Sequence, residues 1–272
     1  MITANYHTHT ARCQHAKGED RAYVEAAIAG GLDDYFTSLE QLRREYARDI
    51  TIYIGFEAEY VPDMLEEQCR LLEGYPIDYR ILGEHFTENE MHSVYTGFPS
   101  NDASALQRYV DLVIEALETG DYLYPAHPDL MHFTGADEIY DEQFRRLCVY
   151  CKEKQFPLEI NLLGLVESRH YPSHRFWKIA EEVGNSAIIG CDAHTPDRLS
   201  NQKYIRMCED WAAQFHLPLV QMLPNFGTKL TNAYNRRQLP VSKANTAAVF
   251  YAYGIVAVIR TAAHQWGSGS LP

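Results

Sequence analysis

The fold is decided by residues 157–194, which read PLEINLLGLVESRHYPSHRFWKIAEEVGNSAIIGCDAH. Two short runs typical of buried strands, Leu158–Asn161 and Ala187–Gly190, flank a stretch with helical spacing, Ser173–Val183. A strand, a helix and a second strand in this order predict two parallel strands joined by a crossover helix, because parallel pairing requires a long connection.

The same alternation of strands and helices extends over most of the 272 residues. Further strands are predicted at Ile2–Tyr6, Thr51–Phe56, Tyr79–Leu82 and Tyr122–Ala126. Further helices are predicted at Arg21–Ala29, Leu39–Ala47, Ala103–Thr119, Asp141–Lys154 and Asn201–Gln214. Repeated β/α units predict an α/β fold with a parallel sheet, and a chain of this length suits a sheet closed into one barrel.

Two intervals depart from this pattern. Between Gly31 and Thr51 there is one helix where the alternation also requires a strand. The tail from about Thr228 loses the β/α rhythm and ends in Gly-Ser-Gly-Ser-Leu-Pro, typical of a flexible or vector-derived terminus. We therefore predict a barrel domain over residues 1–227 and an uncertain C-terminal segment over residues 228–272, to which no function is assigned.

Composition and charge exclude several classes of function. The formal net charge of −13 disfavours a nucleic-acid partner or an anionic membrane surface, although a small phosphorylated substrate is compatible with it when metal ions supply local positive charge. The sequence starts without the apolar core of a signal peptide, and six scattered cysteines suit a reducing cytoplasm. Cys148 and Cys151 form a CxxC inside a predicted helix, which favours two structural cysteines over a redox or metal pair.

Histidine and carboxylate side chains follow five of the predicted strands. They are His7, His9 and His15 after the first, Glu57 and Glu59 after the second, then His85, then His127, and finally Asp192 and His194. One such residue alone is more often a cap or a surface side chain than a ligand. The set predicts a metal centre, because working residues of α/β barrels lie at the carboxyl ends of strands and imidazole and carboxylate suit zinc, manganese and iron. Weaker candidates in loops or at helix starts, which could orient substrate or simply be solvated, are His92, His132, His170 and His174, while His216 and His264 are expected to be uninvolved.

A phosphate-facing cation is the second requirement of such a site. Arg169 is the first candidate, because it follows the strand Leu158–Asn161 and has a bidentate guanidinium. Arg175 is the second candidate. A surface ion pair with Glu167 or Glu181 is the competing interpretation for each arginine.

At these residues the chain resembles the PHP (polymerase and histidinol phosphatase) superfamily, and within it the histidinol-phosphatase branch. The stretches that carry the resemblance are Tyr-His-Thr-His-Thr (6–10), Gly-Phe-Glu-Ala-Glu-Tyr (55–60), Leu-Gly-Glu-His-Phe (82–86), Ala-His-Pro-Asp-Leu (126–130), Pro-Leu-Glu-Ile-Asn (157–161) and Gly-Cys-Asp-Ala-His-Thr-Pro (190–196). Each stretch is weak alone, and their shared order and spacing make the set specific from the start of the chain to about residue 220.

The resemblance implies a distorted seven-stranded β/α barrel that holds two or three divalent ions of zinc, manganese or iron. Carried over by position, His7, His9, Glu57 and Asp192 would hold one ion, Glu57, His85 and His127 a second, and His15 and His194 a third. The implied reaction is hydrolysis of L-histidinol phosphate to L-histidinol and phosphate in histidine biosynthesis. Asp192 or His194 would give a proton to the departing alkoxide.

One departure from the family pattern is informative. The family carries a strand ending in Ser-Asp-His after the first helix, and its histidine completes the third metal position. Here Gly31-Leu32 continues into Asp33-Asp34-Tyr35-Phe36, and no histidine lies between His15 and His85. This is the interval in which the alternation lacks a strand, so either a strand is deleted or a segment is absent from this sequence.

Three alternatives stay open from the sequence. The first is another phosphoesterase of the same superfamily, acting on a phosphotyrosine, a nucleotide or a nucleic-acid end, of which the acidic charge disfavours the last. The second is a catalytically silent metal-binding or scaffold protein, which the missing histidine favours. The third is a metal-dependent amidohydrolase barrel, which would usually show a carboxylated lysine or a different order of histidines.

Overall fold

The computed structural model describes residues 4–5, 35–88, 94–223 and 252–259, and these form a mixed α/β structure. The strands of this described part are β1 (Ala4–Asn5), β2 (Thr51–Ala58), β3 (Tyr79–Leu82), β4 (Leu158–Asn161), β5 (Ala187–Gly190) and β6 (Ala252–Ile259). Its helices are α1 (35–45), α2 (Leu65–Leu71), α3 (Ala103–Glu118), α4 (Asp137–Lys154), α5 (Leu162–Val166), α6 (His174–Val183), α7 (Pro196–Ser200) and α8 (Gln202–Gln214), with a 3-10 turn at Pro62–Met64. None of these helices is long and apolar enough to cross a bilayer.

The strands form two sheets. The first has four strands in the order β1-β6-β2-β3, in which β2 and β3 are parallel and β6 runs antiparallel to β1 and β2. The second is the parallel pair β4-β5, with Asn161 opposite Gly190 at its carboxyl end. The prediction of a parallel β4-α6-β5 unit from residues 157–194 is therefore confirmed.

Single bridges lengthen the edges of both sheets. Pro125 bridges Leu82 of β3 in parallel, and Leu219 bridges Ala187 of β5 in parallel. The predicted strand Tyr122–Ala126 does follow β3, because Leu82 N–H donates to Tyr124 O and Ala126 N–H donates to Leu82 O. Leu123 N–H also donates to Arg80 O, and the pairing forms one bridge rather than a full strand.

Four of the helices pack over the largest of three apolar clusters in the described residues. Helices α3, α4, α6 and α8 contribute buried side chains to it, including Phe144, Phe176 and Trp177. Phe144 and Phe176 meet edge to face with ring centroids 5.3 Å apart. Cys148 and Cys151 are free thiols buried in this core, and burial raises the pKa of both. The structure thus confirms their interpretation as structural cysteines.

Helix boundaries follow the capping chemistry closely. Helix α6 begins after Ser173, whose hydroxyl accepts from Phe176 N–H, and ends at Gly184 with a φ of 78°. Helix α3 begins after Asp102, whose carboxylate accepts from Ser104 N–H at 2.8 Å. Helix α4 begins at Asp137, four residues before the prediction, and its first turn carries the acidic residues Asp137 and Glu138.

The sequence left the tail without assigned structure, and part of it forms β6. Residues Thr51–Ala58 of β2 pair along their whole length with Ala252–Ile259. The predicted helix Arg21–Ala29 and the interval from Gly31 to Asp34 lie outside the described residues. The division at residue 227 stays a prediction.

Candidate metal centre

Three of the predicted ligands come together at the carboxyl edge of the first sheet. Glu57 lies at the end of β2, and His85 follows β3 by three residues. Glu57 is in register with Ile81 in this parallel pair, so the two strands end side by side. His127 follows the segment that bridges β3 at Pro125, which brings its imidazole to the same edge. The structure therefore brings these three side chains together, and their role as metal ligands stays a prediction.

The donor atoms of this cluster have a spacing that suits one ion. The ligand atoms of Glu57, His85 and His127 all lie within 4.8 Å of one another. Glu57 Oε1 lies 2.8 Å from His127 Nε2 and 3.9 Å from His85 Nε2. Ligands around a tetrahedral zinc ion with bonds near 2.1 Å are separated by about 3.4 Å, between these two distances.

Glu59 fixes the orientation of the His85 ring. The backbone N–H of His85 donates to both carboxylate oxygens of Glu59, at 2.9 and 3.1 Å, and His85 Nδ1 lies 2.6 Å from Glu59 Oε1. Because a carboxylate accepts, Nδ1 carries the proton and Nε2 keeps its lone pair toward Glu57. A carboxylate on the far nitrogen of an imidazole is the usual support for a metal-binding histidine. The sequence placed Glu59 at this strand end but assigned it no role.

Electrostatics at the cluster favour a cation. Burial raises the pKa of Glu59, although the adjacent His85 opposes that shift. Burial alone would lower the pKa of His85, but the charge of Glu59, its hydrogen bond and the charge of Glu57 outweigh burial and raise it. Both pKa shifts favour the protonated forms, which means that added positive charge stabilises this group of carboxylates.

Buried negative charge greatly exceeds buried positive charge across the described residues. The buried carboxylates there are Glu57, Glu59, Glu84, Asp121, Asp129, Glu159 and Asp192. Arg80 is the corresponding buried cation of that part of the chain. Since isolated buried carboxylates cost several kcal/mol each, protons or metal ions must balance this excess. The donor set of histidine and carboxylate therefore fits divalent metal ions.

Two glycines leave room for buried carboxylates. A Cβ at Gly83 would overlap the carboxyl group of Glu57, and a Cβ at Gly190 would overlap that of Glu159. Gly83 follows strand β3 and Gly190 ends strand β5. Each is required for close approach rather than for an unusual φ, since neither has a left-handed backbone.

Asp192 and His194 lie beyond β5, at the carboxyl edge of the second sheet. Asp192 is buried and has a φ of 45°. Its charge contributes to the raised pKa of His85, so the two side chains lie in one electrostatic environment. His194 is exposed, and its Nδ1 lies 2.9 Å from the backbone oxygen of Asp192. The described cluster of ligand atoms includes neither of them, and their metal and proton-donor roles stay predictions.

Glu159 and Asn161 form a polar layer that the sequence reading left without a role. Asn161 Nδ2 donates to Glu159 Oε1 at 2.9 Å and to Asp192 Oδ2 at 3.1 Å. The backbone N–H of His127 donates to Glu159 Oε1 at 3.4 Å. The signal that could have found them is two polar residues in the otherwise apolar run Leu158–Asn161.

Aromatic rings and Arg169 lie beside the cluster. The ring centroid of Tyr95 lies 6.2 Å from that of His85, and Tyr171 lies 5.7 Å from His127 by the same measure. Arg169 Nη1 donates to Tyr171 Oη at 2.7 Å, while its Nε and Nη2 donate to Glu167. Arg169 thus makes the ion pair with Glu167 that competes with a substrate role, and it also donates to Tyr171, whose ring lies beside the predicted ligand His127.

Arg175 has a different environment. Its guanidinium pairs with Asp137 and Asp141 of helix α4 and lies 4.7 Å above the Tyr140 ring. The competing interpretation expected a surface ion pair with Glu181, whereas the observed partners are these two carboxylates of helix α4. A substrate role for Arg175 stays a prediction.

The remaining histidines divide into three groups. His132 and His170 stack with centroids 4.2 Å apart, and His170 Nε2 lies 2.6 Å from Leu130 O. His174 contacts Trp211 of helix α8, and His216 pairs with Glu181 in an exposed position. The others lie outside the described residues; they are His7, His9, His15, His92 and His264.

The chain is similar to known proteins over most of its length. No protein-family model matches the chain. A protein of Deinococcus radiodurans assigned as a histidinol-phosphatase is 24% identical over 225 residues, which cover 70% of this chain and 85% of that protein.

Two solved structures have the same fold. The first is a protein of Listeria monocytogenes assigned as a histidinol phosphatase, with a TM-score of 0.53, 18% identity, and coverage of 74% of this chain and 98% of that one. The second is a histidinol phosphate phosphatase of Lactococcus lactis complexed with zinc, L-histidinol and phosphate, with a TM-score of 0.58, 17% identity, and coverage of 83% and 97%.

Proposed function

We propose that this chain is a metal-dependent phosphatase that hydrolyses L-histidinol phosphate to L-histidinol and phosphate. Its relationship to the histidinol-phosphatases of the PHP superfamily supports this proposal. The observation that carries the proposal is the convergence of Glu57, His85 and His127 at one sheet edge, supported by Glu59 behind His85. This ligand chemistry is the kind that phosphatases use, and the Lactococcus lactis relative binds zinc, histidinol and phosphate.

The bound metal would supply neutralisation of phosphoryl oxygens and activation of water. Glu57, His85 and His127 would hold one ion, with His7, His9 and Asp192 proposed for a neighbouring ion and His15 and His194 for a third. Two or three ions of zinc, manganese or iron are part of the proposal, as are the seven-stranded barrel and a cytoplasmic location. The mixed α/β elements and the likeness to the two phosphatase structures support the barrel.

The chain's own residues would perform the remaining steps. Arg169 would bind the phosphoryl group, because its fork is held between Glu167 and Tyr171 beside the ligand His127. Asp192 or His194 would donate a proton to the departing histidinol oxygen. Tyr95 and Tyr171 would form the wall against which the organic part of the substrate lies, since their rings flank His85 and His127.

A metal titration with three substrates tests the proposal. The metal-stripped protein would be titrated with zinc or manganese, and phosphate release measured from L-histidinol phosphate, phosphotyrosine and p-nitrophenyl phosphate. We expect metal-dependent release that is at least tenfold faster per site with L-histidinol phosphate. His127→Asn should abolish it, whereas His216→Asn, at an exposed position outside the site, should not. No release from any of the three at saturating metal would overturn the phosphatase, and release from phosphotyrosine alone would overturn the substrate.

A further inference from the structure

Asn161 joins two buried carboxylates at the boundary between the two sheets. Its Nδ2 donates to Glu159 Oε1 and to Asp192 Oδ2, at 2.9 and 3.1 Å. All three side chains are buried, with Asn161 1% exposed and Glu159 fully covered. The two amide hydrogens are therefore used on two carboxylates that would otherwise face each other as like charges.

The backbone fixes which way this amide points. Asn161 is the N-terminal cap of helix α5, and its Oδ1 accepts from Gly164 N–H at 2.8 Å. Because the oxygen is held by the helix, the nitrogen must face Glu159 and Asp192. Strand register adds a second constraint, since Asn161 lies opposite Gly190 and Asp192 follows two residues later.

Asp192 needs such a support because its backbone is not in an ordinary conformation. Its φ of 45° lies in the left-handed region, which costs a non-glycine residue conformational energy. A hydrogen bond from a rigidly capped amide restricts the carboxylate to one orientation.

We propose that Asn161 is a positioning residue of the metal centre, and that its amide holds the Asp192 carboxylate in the orientation needed for metal binding and turnover. The expected effect on kcat rests on the proposed function, whereas the expected effect on zinc affinity rests on metal binding alone. Asn161 acts through Asp192 and touches neither metal nor substrate.

The capping role and the positioning role can be separated by substitution. Asn161→Asp keeps an oxygen that accepts from Gly164 N–H, and aspartate is as good a helix cap as asparagine, but it removes the donor toward Asp192. Asn161→Ser also keeps a capping oxygen and removes the donor without adding charge. Asn201→Asp is the matched control, because Asn201 caps helix α8 through Lys203 N–H outside the metal centre.

The experiment measures zinc affinity by competition with a chelator, the midpoint of thermal unfolding, and kcat and KM for L-histidinol phosphate. We expect Asn161→Asp and Asn161→Ser to weaken zinc affinity or kcat about 10- to 100-fold, with KM changed less than threefold and Asn201→Asp unchanged. If Asn161→Asp does not fold, the same measurements on Asn161→Ser test the inference.

Two outcomes distinguish the inference from the proposed function. Zinc affinity and kcat within twofold of the wild type in both Asn161 variants, or a fall confined to the unfolding midpoint, would overturn the positioning role and leave the phosphatase intact. A wild-type chain that binds zinc without hydrolysing L-histidinol phosphate would overturn the substrate, and the zinc-affinity ratio would still decide the role of Asn161.

Discussion

Glu59→Gln is the substitution that most directly tests the metal centre. Glu59 is buried, and its carboxylate accepts from the backbone N–H and from Nδ1–H of His85. Glutamine has the same shape but no charge, and with its oxygen in the Oε1 position its amide group would face the His85 backbone N–H that now also donates to Oε2. That donor–donor contact and the lost charge would weaken the hold on Nδ1–H, and Nε2 would face Glu57 for only part of the time.

The magnitude follows from the bonds that are lost. A hydrogen bond to a charged group contributes about 1.5–3 kcal/mol, and loss of a group that orients a metal-bound histidine costs roughly 10- to 100-fold in metal affinity or activity. A factor of ten corresponds to about 1.4 kcal/mol, so the two ranges agree. We therefore expect zinc affinity to fall about 10- to 100-fold in Glu59→Gln.

The assay is zinc competition with a chromogenic chelator, followed by phosphate release at saturating zinc. Glu182→Gln is the matched control, because Glu182 pairs with Arg145 on the exposed surface and should change zinc affinity less than twofold. Zinc affinity and phosphate release in Glu59→Gln equal to the wild type would refute the reasoning, since His85 would then need no support or would not be a ligand.

Three further results are expected. Gly83→Ala should lower zinc affinity at least tenfold, measured by the same competition, because its Cβ would displace the Glu57 carboxyl group; unchanged affinity would show that Glu57 can bind from another rotamer. Arg169→Ala should raise KM for L-histidinol phosphate at least tenfold in steady-state kinetics, whereas Arg145→Ala, which removes a surface ion pair with Glu182, should leave KM unchanged. Phe144→Ala should destabilise the fold by about 3–5 kcal/mol in urea unfolding, because the side chain is fully buried against Phe176, and a loss below 1 kcal/mol would contradict this core.

The sequence could predict the strand ends well, because apolar runs and turn residues are local signals. The strands Leu158–Asn161 and Ala187–Gly190 have the predicted bounds, and the strand predicted at Thr51–Phe56 continues to Ala58. The convergence of the side chains that follow β2 and β3 followed from one rule, that parallel strands end at the same edge.

The pairing of β6 and the support of the ligands could not be predicted in the same way. Residues Ala252–Ile259 pair with β2 about two hundred positions earlier, and no local pattern encodes such a partner. Glu59 and Asn161 were visible as polar residues, but their roles depend on which side chains lie behind them. Burial and hydrogen-bond direction, which decide those roles, arise only when the chain is folded.

Two predicted ligands have a left-handed backbone conformation, which lowers the stability of the fold at residues that the proposed function requires. His127 and Asp192 have φ values of 29° and 45°, and a glycine at either place would relieve a conformational cost of about 1 kcal/mol. A random-mutagenesis screen for heat resistance alone would therefore enrich substitutions at residue 192, because removing its buried carboxylate also removes a desolvation cost. The proposed role of Asp192 predicts that thermostable variants recovered at that position lose activity, so a directed-evolution library for this protein should hold residues 127 and 192 constant.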